Sequence, residues 1–194
     1  MKKHIVTSVL YTVISAVLLG IVYPLAVTGL AHVFFPRQAE GSLIERNGLL
    51  VGSRLIGQPF DGPGNFWSRP SAAGTGYDAS NSGGSNYAPT NAALVSRVAA
   101  TVQTLNPKGT GGAVPIDLAT ASASGLDPDI SPAAAYYQTA RVAAERHISE
   151  DAVRNLVSLH VTPRQFGLLG EPRVNVLELN LALDSLAPAA APNK

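Results

Sequence analysis

The chain has 194 residues and a net charge of +1, a length that allows one domain with its own hydrophobic core. It contains no cysteine, which excludes disulfide bonds and thiolate metal sites. Apart from Lys2 and Lys3 near the start, acidic and basic residues nearly balance in number. We therefore expect neither a basic surface that binds nucleic acid nor an acidic surface that attracts cations.

Residues 5–35 contain no Asp, Glu, Lys or Arg. About 20 apolar residues cross the hydrocarbon core of a bilayer, so this stretch predicts one transmembrane helix. Pro24 lacks a backbone N–H and predicts a kink near Gly20 and Tyr23. A cleaved secretory signal is the alternative, but its apolar core is typically only about 7 to 15 residues long. The length therefore favours a retained helix.

The charges beside this helix predict its orientation. Lys2 and Lys3 favour a cytoplasmic N-terminus, formed by residues 1–4. Residues 37–186 then form an extracytoplasmic domain. Residues 187–194, which are mostly Ala and Pro, predict a disordered tail.

Two segments that follow the helix predict structure other than helix. Asn47-Gly48 is a preferred pair for a type I′ turn, so residues 42–57 predict a β-hairpin. Residues 58–90 are rich in Gly, Ser, Asn and Pro, which is typical of flexible linkers. They also carry aromatic residues that linkers rarely contain, namely Phe60, Phe66, Trp67, Tyr77 and Tyr87. We therefore expect an ordered loop, and long ordered loops are more often functional.

Capping residues predict three helices in the second half of the chain. Thr90 or Asn91 begins a helix that runs to about Leu105. One face of this helix is apolar: Leu94, Val95, Val98, Val102 and Leu105.

The second helix begins at Ser131, where a hydroxyl cap is followed by proline, and runs to about Arg146. Arg141 and Glu145 are spaced for an ion pair on it. Ser149 caps the third helix. The buried stripe expected on this third helix is Ala152, Val153, Leu156, Val157 and His160.

Residues 173–183 begin with the alternation of a strand, which then slips in phase and favours a helix after Asn180. Together these elements predict an α+β fold class: one N-terminal transmembrane helix followed by a small mixed α+β domain.

Motifs that carry catalysis are scarce. The glycine-rich residues 82–86 have no strand–loop–helix frame for a phosphate, so a tight turn is the better interpretation. The four histidines lack the spacing of metal ligands. Ser71, His147 and Asp117 could be combined into a hydrolase triad, but no nucleophile-elbow motif accompanies them. We therefore predict no catalytic residue and no metal site.

Residues 120–135 are small and carry two acids, Asp127 and Asp129, each followed or preceded by proline. Both acids suit the turn that leads into the helix at Ser131. Arg69, in a proline-containing loop, is expected to be held by a carboxylate.

Several blocks of the sequence, in order along almost the whole chain, resemble one family, the C subunit of the Kdp-type potassium-transporting ATPase of bacteria. The matching blocks are YPLAVTGLA (23–31), GSRLIGQPF (52–60), FWSRPSAAGTGYDASNSGGSN (66–86), PIDLATASASGLDPDISPAAA (115–135) and LGEPRVNVLELNLAL (169–183). Minor departures are the DGPG start of the long loop, Asp129 and the Ala/Pro tail.

The resemblance implies a non-catalytic subunit of a high-affinity potassium uptake complex in the bacterial inner membrane. Its partners would be a channel-like subunit that carries potassium, a P-type ATPase subunit that hydrolyses ATP and a very small membrane subunit. The family is described as a catalytic chaperone that raises the ATP affinity of the hydrolytic subunit. ATP is implied as a ligand by this description alone, and no cofactor is expected from the residues themselves. The alternative is a membrane-tethered extracytoplasmic enzyme or binding module that acts alone.

We expect the small residues 119–125 to allow close backbone approach, and Asp127 and Asp129, fixed by Pro128, to give a rigid, partly negative edge. This edge and the WSRPSAAG segment are predicted to form the surface that docks on the channel-like subunit. Gly20 and Gly29 are expected to let the membrane helix approach a partner helix. The predicted partner interface comprises Gly20, Pro24, Gly29, Trp67, Arg69, Pro70, Ser71, Ser124, Gly125, Asp127 and Asp129.

Overall fold

The computed structural model describes residues 1–106 and 112–186. The chain divides into two compact units, Met1–Val51 and Gly52–Lys194. The predicted disordered tail, residues 187–194, lies outside the described residues.

The first unit begins with a helix of 33 residues, Lys2–Phe34, which is long and apolar enough to cross a membrane. It consists of α1 (Lys2–Val17), a π-helical turn (Leu18–Val22) and α2 (Tyr23–Phe34). The N–H of Tyr23 donates to the carbonyl of Leu18, five residues back. The backbone thus departs from regular α-helix one turn before Pro24, at the place where the sequence predicts a kink.

A short helix, α3 (Pro36–Ala39), is followed by the predicted hairpin, β1 (Leu43–Arg46) and β2 (Leu49–Ser53). Asn47 and Gly48 have φ of 54° and 75°. Two consecutive residues of positive φ are what a type I′ turn requires, so the hairpin prediction is confirmed. Its second strand ends at Ser53, earlier than expected.

Within the described residues after the hairpin, the second unit contains five α-helices, one turn of 3-10 helix (Ala79–Asn81) and three short strands. In chain order the α-helices and strands are α4 (Ala92–Leu105), α5 (Ile116–Ala119), β3 (Asp129–Ile130), α6 (Pro132–Arg146), α7 (Glu150–His160), β4 (Val161–Thr162), β5 (Arg173–Asn175) and α8 (Val176–Leu186). The predicted caps are in place, because the side chains of Asn91, Ser131 and Ser149 each accept a backbone N–H in the first turn. The α+β prediction is confirmed.

The three strands form an antiparallel sheet in the order β3-β5-β4. Val174 is the centre of the register, since it pairs with Ile130 on one side and with Val161 on the other. The helices α6, α7 and α8 each pack against β5, the central strand of this sheet. The core comprises Phe66, Leu118, Ile130, Ala134, Ala135, Val142, Ala143, Val153, Val157, Val174, Val176, Leu179 and Leu183.

The stripe predicted on α7 is confirmed. Val153 and Val157 are fully buried, and Ala152, Leu156 and His160 are half-buried beside them. The face predicted on α4 is only partly right, because Val95 is 59% exposed and Val102 is 37% exposed.

The prediction that a helix begins after Asn180 is wrong, since α8 starts at Val176. Asn175 explains the early start, because its Oδ1 accepts the N–H of Glu178 and caps the helix. The apolar residues that interrupt the strand alternation are spaced for one helical face and are buried: Val176, Leu177, Leu179 and Leu183.

Candidate partner interface

The loop of residues 58–90 is held on the domain by amide side chains from two helices. Oδ1 of Asn180 accepts the N–H of Phe66 at 2.8 Å, and its Nδ2 donates to the Phe66 carbonyl at 3.0 Å. Gln138 of α6 makes the same pair of contacts with the backbone of Trp67, at 2.8 and 3.2 Å. The loop is therefore ordered, as its aromatic content predicts, and both amides were missed by sequence analysis.

Trp67 is covered by a cation. The guanidinium carbon of Arg141 lies 3.9 Å from the centroid of the indole ring. Arg141 also donates to Oε1 of Gln138 and to the carbonyl of Pro63. Glu145 still acts electrostatically on Arg141, but the half-buried guanidinium is oriented by the ring face and the two acceptors. Burial lowers the pKa of Arg141 to about 10.

Ser71 organises the turn that follows Trp67. Its Oγ donates to the carbonyl of Gly125 at 2.6 Å and accepts the backbone N–H groups of Ala73 and Tyr77. The hydroxyl of Tyr77 donates to the carbonyl of Arg69. Ser71 is therefore a structural residue that ties the long loop to the segment around Gly125.

The small side chains of residues 119–125 are explained by this contact. Gly125 has φ of +67°, and a Cβ there would lie 2.6 Å from the nitrogen of Ala73 and 2.7 Å from the carbonyl oxygen of Gly83. The N–H of Gly83 donates to the carbonyl of Ser124 at 2.8 Å. The small residues therefore let two segments of the same domain approach each other, and Gly125 itself is buried rather than available to a partner.

The two acids beside the prolines are each paired with an arginine. Oδ2 of Asp127 lies 2.8 Å from Nη1 of Arg69, and Oδ2 of Asp129 lies 3.0 Å from Nε of Arg173. The expected Arg69–carboxylate pair is confirmed. The expected negative edge is not found, because an arginine compensates the charge of each aspartate. Burial still raises the pKa of Asp129 above its ordinary value.

Two clefts flank Arg69 and Asp127. One, of about 490 Å³, is lined by residues 121–124 together with Leu55 and Pro128. The other, of about 400 Å³, lies on the side of Asp129, Glu171 and Arg173. Ala123 and Ser124, which line the first of these clefts, are exposed. The structure thus brings Arg69, Ser71, Ser124, Gly125, Asp127 and Asp129 together, with Trp67 and Pro70 nearby on the same loop.

The three predicted interface residues of the membrane helix lie in the other unit. Pro24 is in the first turn of α2, and Gly20 lies in the π-helical turn. A Cβ added at Gly20 or at Gly29 would meet no atom within 4 Å. Their surfaces are open to another helix, and their role stays a prediction.

Residues 164–171 form an exposed apolar loop that sequence analysis did not single out. Gln165 and Leu169 are paired by two backbone hydrogen bonds of 2.9 Å, and Arg164 pairs with Glu171 below them. At its tip, Phe166 is 89% exposed and Leu168 is 77% exposed. Phe166 has φ of +56°, an unusual backbone conformation for an aromatic residue.

The residues of the alternative hydrolase triad have structural partners instead. Ser71 is bonded as described above, and Asp117 accepts the N–H and the hydroxyl of Ser131 at 2.7 and 3.2 Å. His147 ends α6 in the left-handed conformation. Within residues 1–106 and 112–186, no group of three potential metal ligands occurs.

The sequence is similar to known proteins over nearly its whole length. The family model described as K+-transporting ATPase, c chain, matches residues 5–185. The chain is 59% identical to the potassium-transporting ATPase KdpC subunit of Koribacter versatilis over 192 residues, which cover 99% of this chain and 100% of that protein. It is 63% identical to the KdpC subunit of Acidobacterium capsulatum over 95% of this chain and 99% of that protein.

A more distant relative, the KdpC subunit of Methylobacterium nodulans, is 51% identical over 96% of this chain and 99% of that protein. These matches span the apolar helix, the long loop and the sheet. The chain therefore belongs to the KdpC family, the c chain of the K+-transporting ATPase, and is an accessory subunit with partner subunits in that membrane-associated complex.

Proposed function

We propose that the second unit docks on the channel-like, potassium-carrying subunit, and that this chain promotes assembly of the complex without taking part in ATP hydrolysis. The partners in this proposal also include the P-type ATPase subunit and a very small membrane subunit. The observation that carries it is the exposed pair Ala123-Ser124, which lines the cleft of about 490 Å³ beside Arg69 and Asp127. The backbone beneath it is fixed by bonds from the long loop, so docking costs little ordering entropy.

A second contact with a partner subunit is proposed at the apolar loop of residues 164–171. Phe166 and Leu168 are exposed on a rigid turn, and adjacent exposed apolar side chains mark interaction sites more often than isolated ones do. A subunit of a complex has surfaces that its partners cover, and this loop has the composition expected of one.

The substitution Ser124→Leu tests the first contact. It adds a bulky side chain at an exposed position and removes one hydrogen bond from the backbone, donated by the N–H of Leu126 to Oγ, together with a longer contact of 3.4 Å to Oγ of Ser122. We expect co-purification of the complex to fall while the isolated chain stays folded. Ser158→Leu is the matched control, because Ser158 is also exposed and also makes one local hydrogen bond. Normal assembly of the Ser124 variant would refute the proposed contact with the channel-like subunit.

Gly125 is unsuitable for this test because its substitution would disturb the domain itself. The apolar loop is tested in the same assay by Phe166→Asn, which removes exposed apolar surface and suits the left-handed backbone conformation of this position. Weaker assembly with unchanged or higher stability supports the contact. Unchanged assembly counts against it.

The orientation proposed here places the N-terminus in the cytoplasm and residues 37–186 outside it. This topology puts the second unit opposite the ATP, so an effect on ATP affinity would be a coupling free energy transmitted through the membrane helices. The chain has no cysteine, which makes single introduced cysteines unambiguous reporters.

In intact cells with a permeabilised outer membrane, we expect a membrane-impermeant maleimide to label Ser158→Cys and to leave Lys3→Cys unlabelled until the inner membrane is opened. The reverse pattern would invert the topology. A photoreactive ATP analogue should label the hydrolytic subunit of the assembled complex and leave this chain unlabelled; labelling here would establish direct nucleotide contact.

A further inference from the structure

A largely apolar cavity lies between the long loop and α4, apart from the two clefts beside Arg69. Its volume is about 450 Å³, within the range of about 300 to 1,000 Å³ that is usual for small-molecule sites. Its lining is Phe60, Asp61, Trp67, Ser68, Pro70, Tyr77, Ala100, Thr101, Thr104, Leu105 and Leu118.

The hydroxyl groups of this cavity are already engaged with the backbone. Ser68 donates to the carbonyl of Gln58, and Thr101 and Thr104 donate to the carbonyls four residues before them. Tyr77 donates to Arg69. These hydrogen bonds fix the orientation of the four hydroxyl groups, and most of the other lining residues are apolar.

Asp61 is different, because its carboxylate makes no hydrogen bond or ion pair with any residue in the described part of the chain. Its charge is close enough to Tyr77 to add to the effect of burial in raising the pKa of that phenol. Among the lining residues that the structure describes, none is Lys, Arg or His. Among the described lining residues, Asp61 is thus the one that carries a formal charge, and that charge is negative.

Three of the lining residues are aromatic: Phe60, Trp67 and Tyr77. Ring faces attract cations through their quadrupole, and organic cations with alkyl groups gain from apolar contact as well. The guanidinium carbon of Arg141 lies 3.9 Å from the centroid of the Trp67 ring, and Arg141 is not among the described lining residues. Phe60, Tyr77 and the rest of the indole therefore remain to contact a ligand in the cavity.

We propose that this cavity binds a small organic cation of the alkylammonium class. The aromatic and aliphatic side chains contact the alkyl groups, and the carboxylate of Asp61 compensates the positive nitrogen. The proposal concerns the isolated chain, so it is independent of the docking proposed above.

The test uses Trp67, which is the single tryptophan of the chain and lines the cavity. The full-length protein is purified in a detergent without a choline headgroup and titrated with choline chloride while the tryptophan emission is followed. We expect a saturable change. The neutral isostere 3,3-dimethyl-1-butanol should bind about tenfold more weakly or worse, because it keeps the shape of choline and lacks the charge.

Asp61→Asn removes the charge at an exposed position. Because this side chain makes no hydrogen bond or ion pair within the described residues, we expect the variant to fold normally. We expect its affinity for choline to fall about tenfold and its response to the neutral isostere to stay unchanged. Asp151→Asn, an exposed acid on α7, is the matched control and should bind choline normally. A calorimetric titration of each variant provides a second measurement.

Three results would overturn the proposal. Equal affinity for choline and the neutral alcohol would make the site merely apolar. An equal response to potassium chloride at matched ionic strength would make the emission change a salt effect. Normal choline binding by the Asp61 variant would show that this carboxylate does not compensate the cation.

Discussion

The side-chain amide of Asn180 binds both backbone groups of Phe66, which lies 114 positions earlier in the chain. Both residues are buried. The amide thus supplies to the long loop the two hydrogen bonds that a neighbouring strand would otherwise provide. This contact fixes the start of the segment that carries Trp67, Arg69 and Ser71, so the candidate interface depends on it.

The first prediction is that Asn180→Leu lowers the free energy of unfolding by about 2–5 kcal/mol, because two buried backbone groups of Phe66 lose their partners. Urea denaturation followed by tryptophan emission measures it. Asn155→Leu on the exposed side of α7 is the control and should change the unfolding free energy by less than about 0.5 kcal/mol. Similar losses in both variants would contradict the role given to Asn180.

A second prediction compares two glycines that lie against each other. Gly125→Ala should destabilise the domain by about 2–4 kcal/mol, since its φ is positive and the new Cβ would meet backbone atoms of Ala73 and Gly83. Gly83→Ala should be tolerated, because a Cβ there has no atom within 4 Å. Thermal unfolding by circular dichroism distinguishes them, and an equally stable Gly125 variant would count against the close approach.

Arg146 is the subject of the third prediction. Its side chain is 1% exposed and donates to the carbonyl of Gly64, to Oδ1 of Asn65 and to Asp184. Arg146→Met should cost about 3–5 kcal/mol, because these acceptors lose a buried cation. The exposed pair of Arg154 and Glu150 provides the contrast, since Arg154→Met should cost less than about 1 kcal/mol. Equal costs in urea denaturation would refute the distinction.

The fourth prediction concerns pH. Burial raises the pKa of Asp129, so between its ordinary value of 3.8 and its raised value the folded state binds more protons than the unfolded state. The free energy of unfolding contributed by this group therefore falls as pH rises through that window, and it stays lower above it. Asp129→Asn should remove this decline.

Urea denaturation at several pH values between about 4 and 7 measures the effect. The exposed acid variant Asp151→Asn controls for the loss of one carboxylate. If the stability of the Asp129 variant depends on pH as that of the parent chain does, the assignment to this group is wrong.

Local features of the fold could be derived from the sequence alone. The apolar helix, the type I′ hairpin, the three capped helices and the buried stripe of α7 each follow from a short continuous stretch of the chain. Their physical causes are short-range: turn geometry, side-chain caps and the helical period. The pairing of Arg69 with a carboxylate was also expected, although the sequence could not say which acid it would be.

Contacts between distant segments could not be derived in this way. The start of α8 depends on Asn175, which also binds the carbonyl of Arg54, and the orientation of Arg141 depends on the ring of Trp67 in the distant loop. Small side chains at residues 119–125 permit close packing, but they do not identify the neighbour, which is the long loop of the same domain. Composition and period describe what a segment can bury, whereas the partner in each contact follows from packing the whole chain around one core.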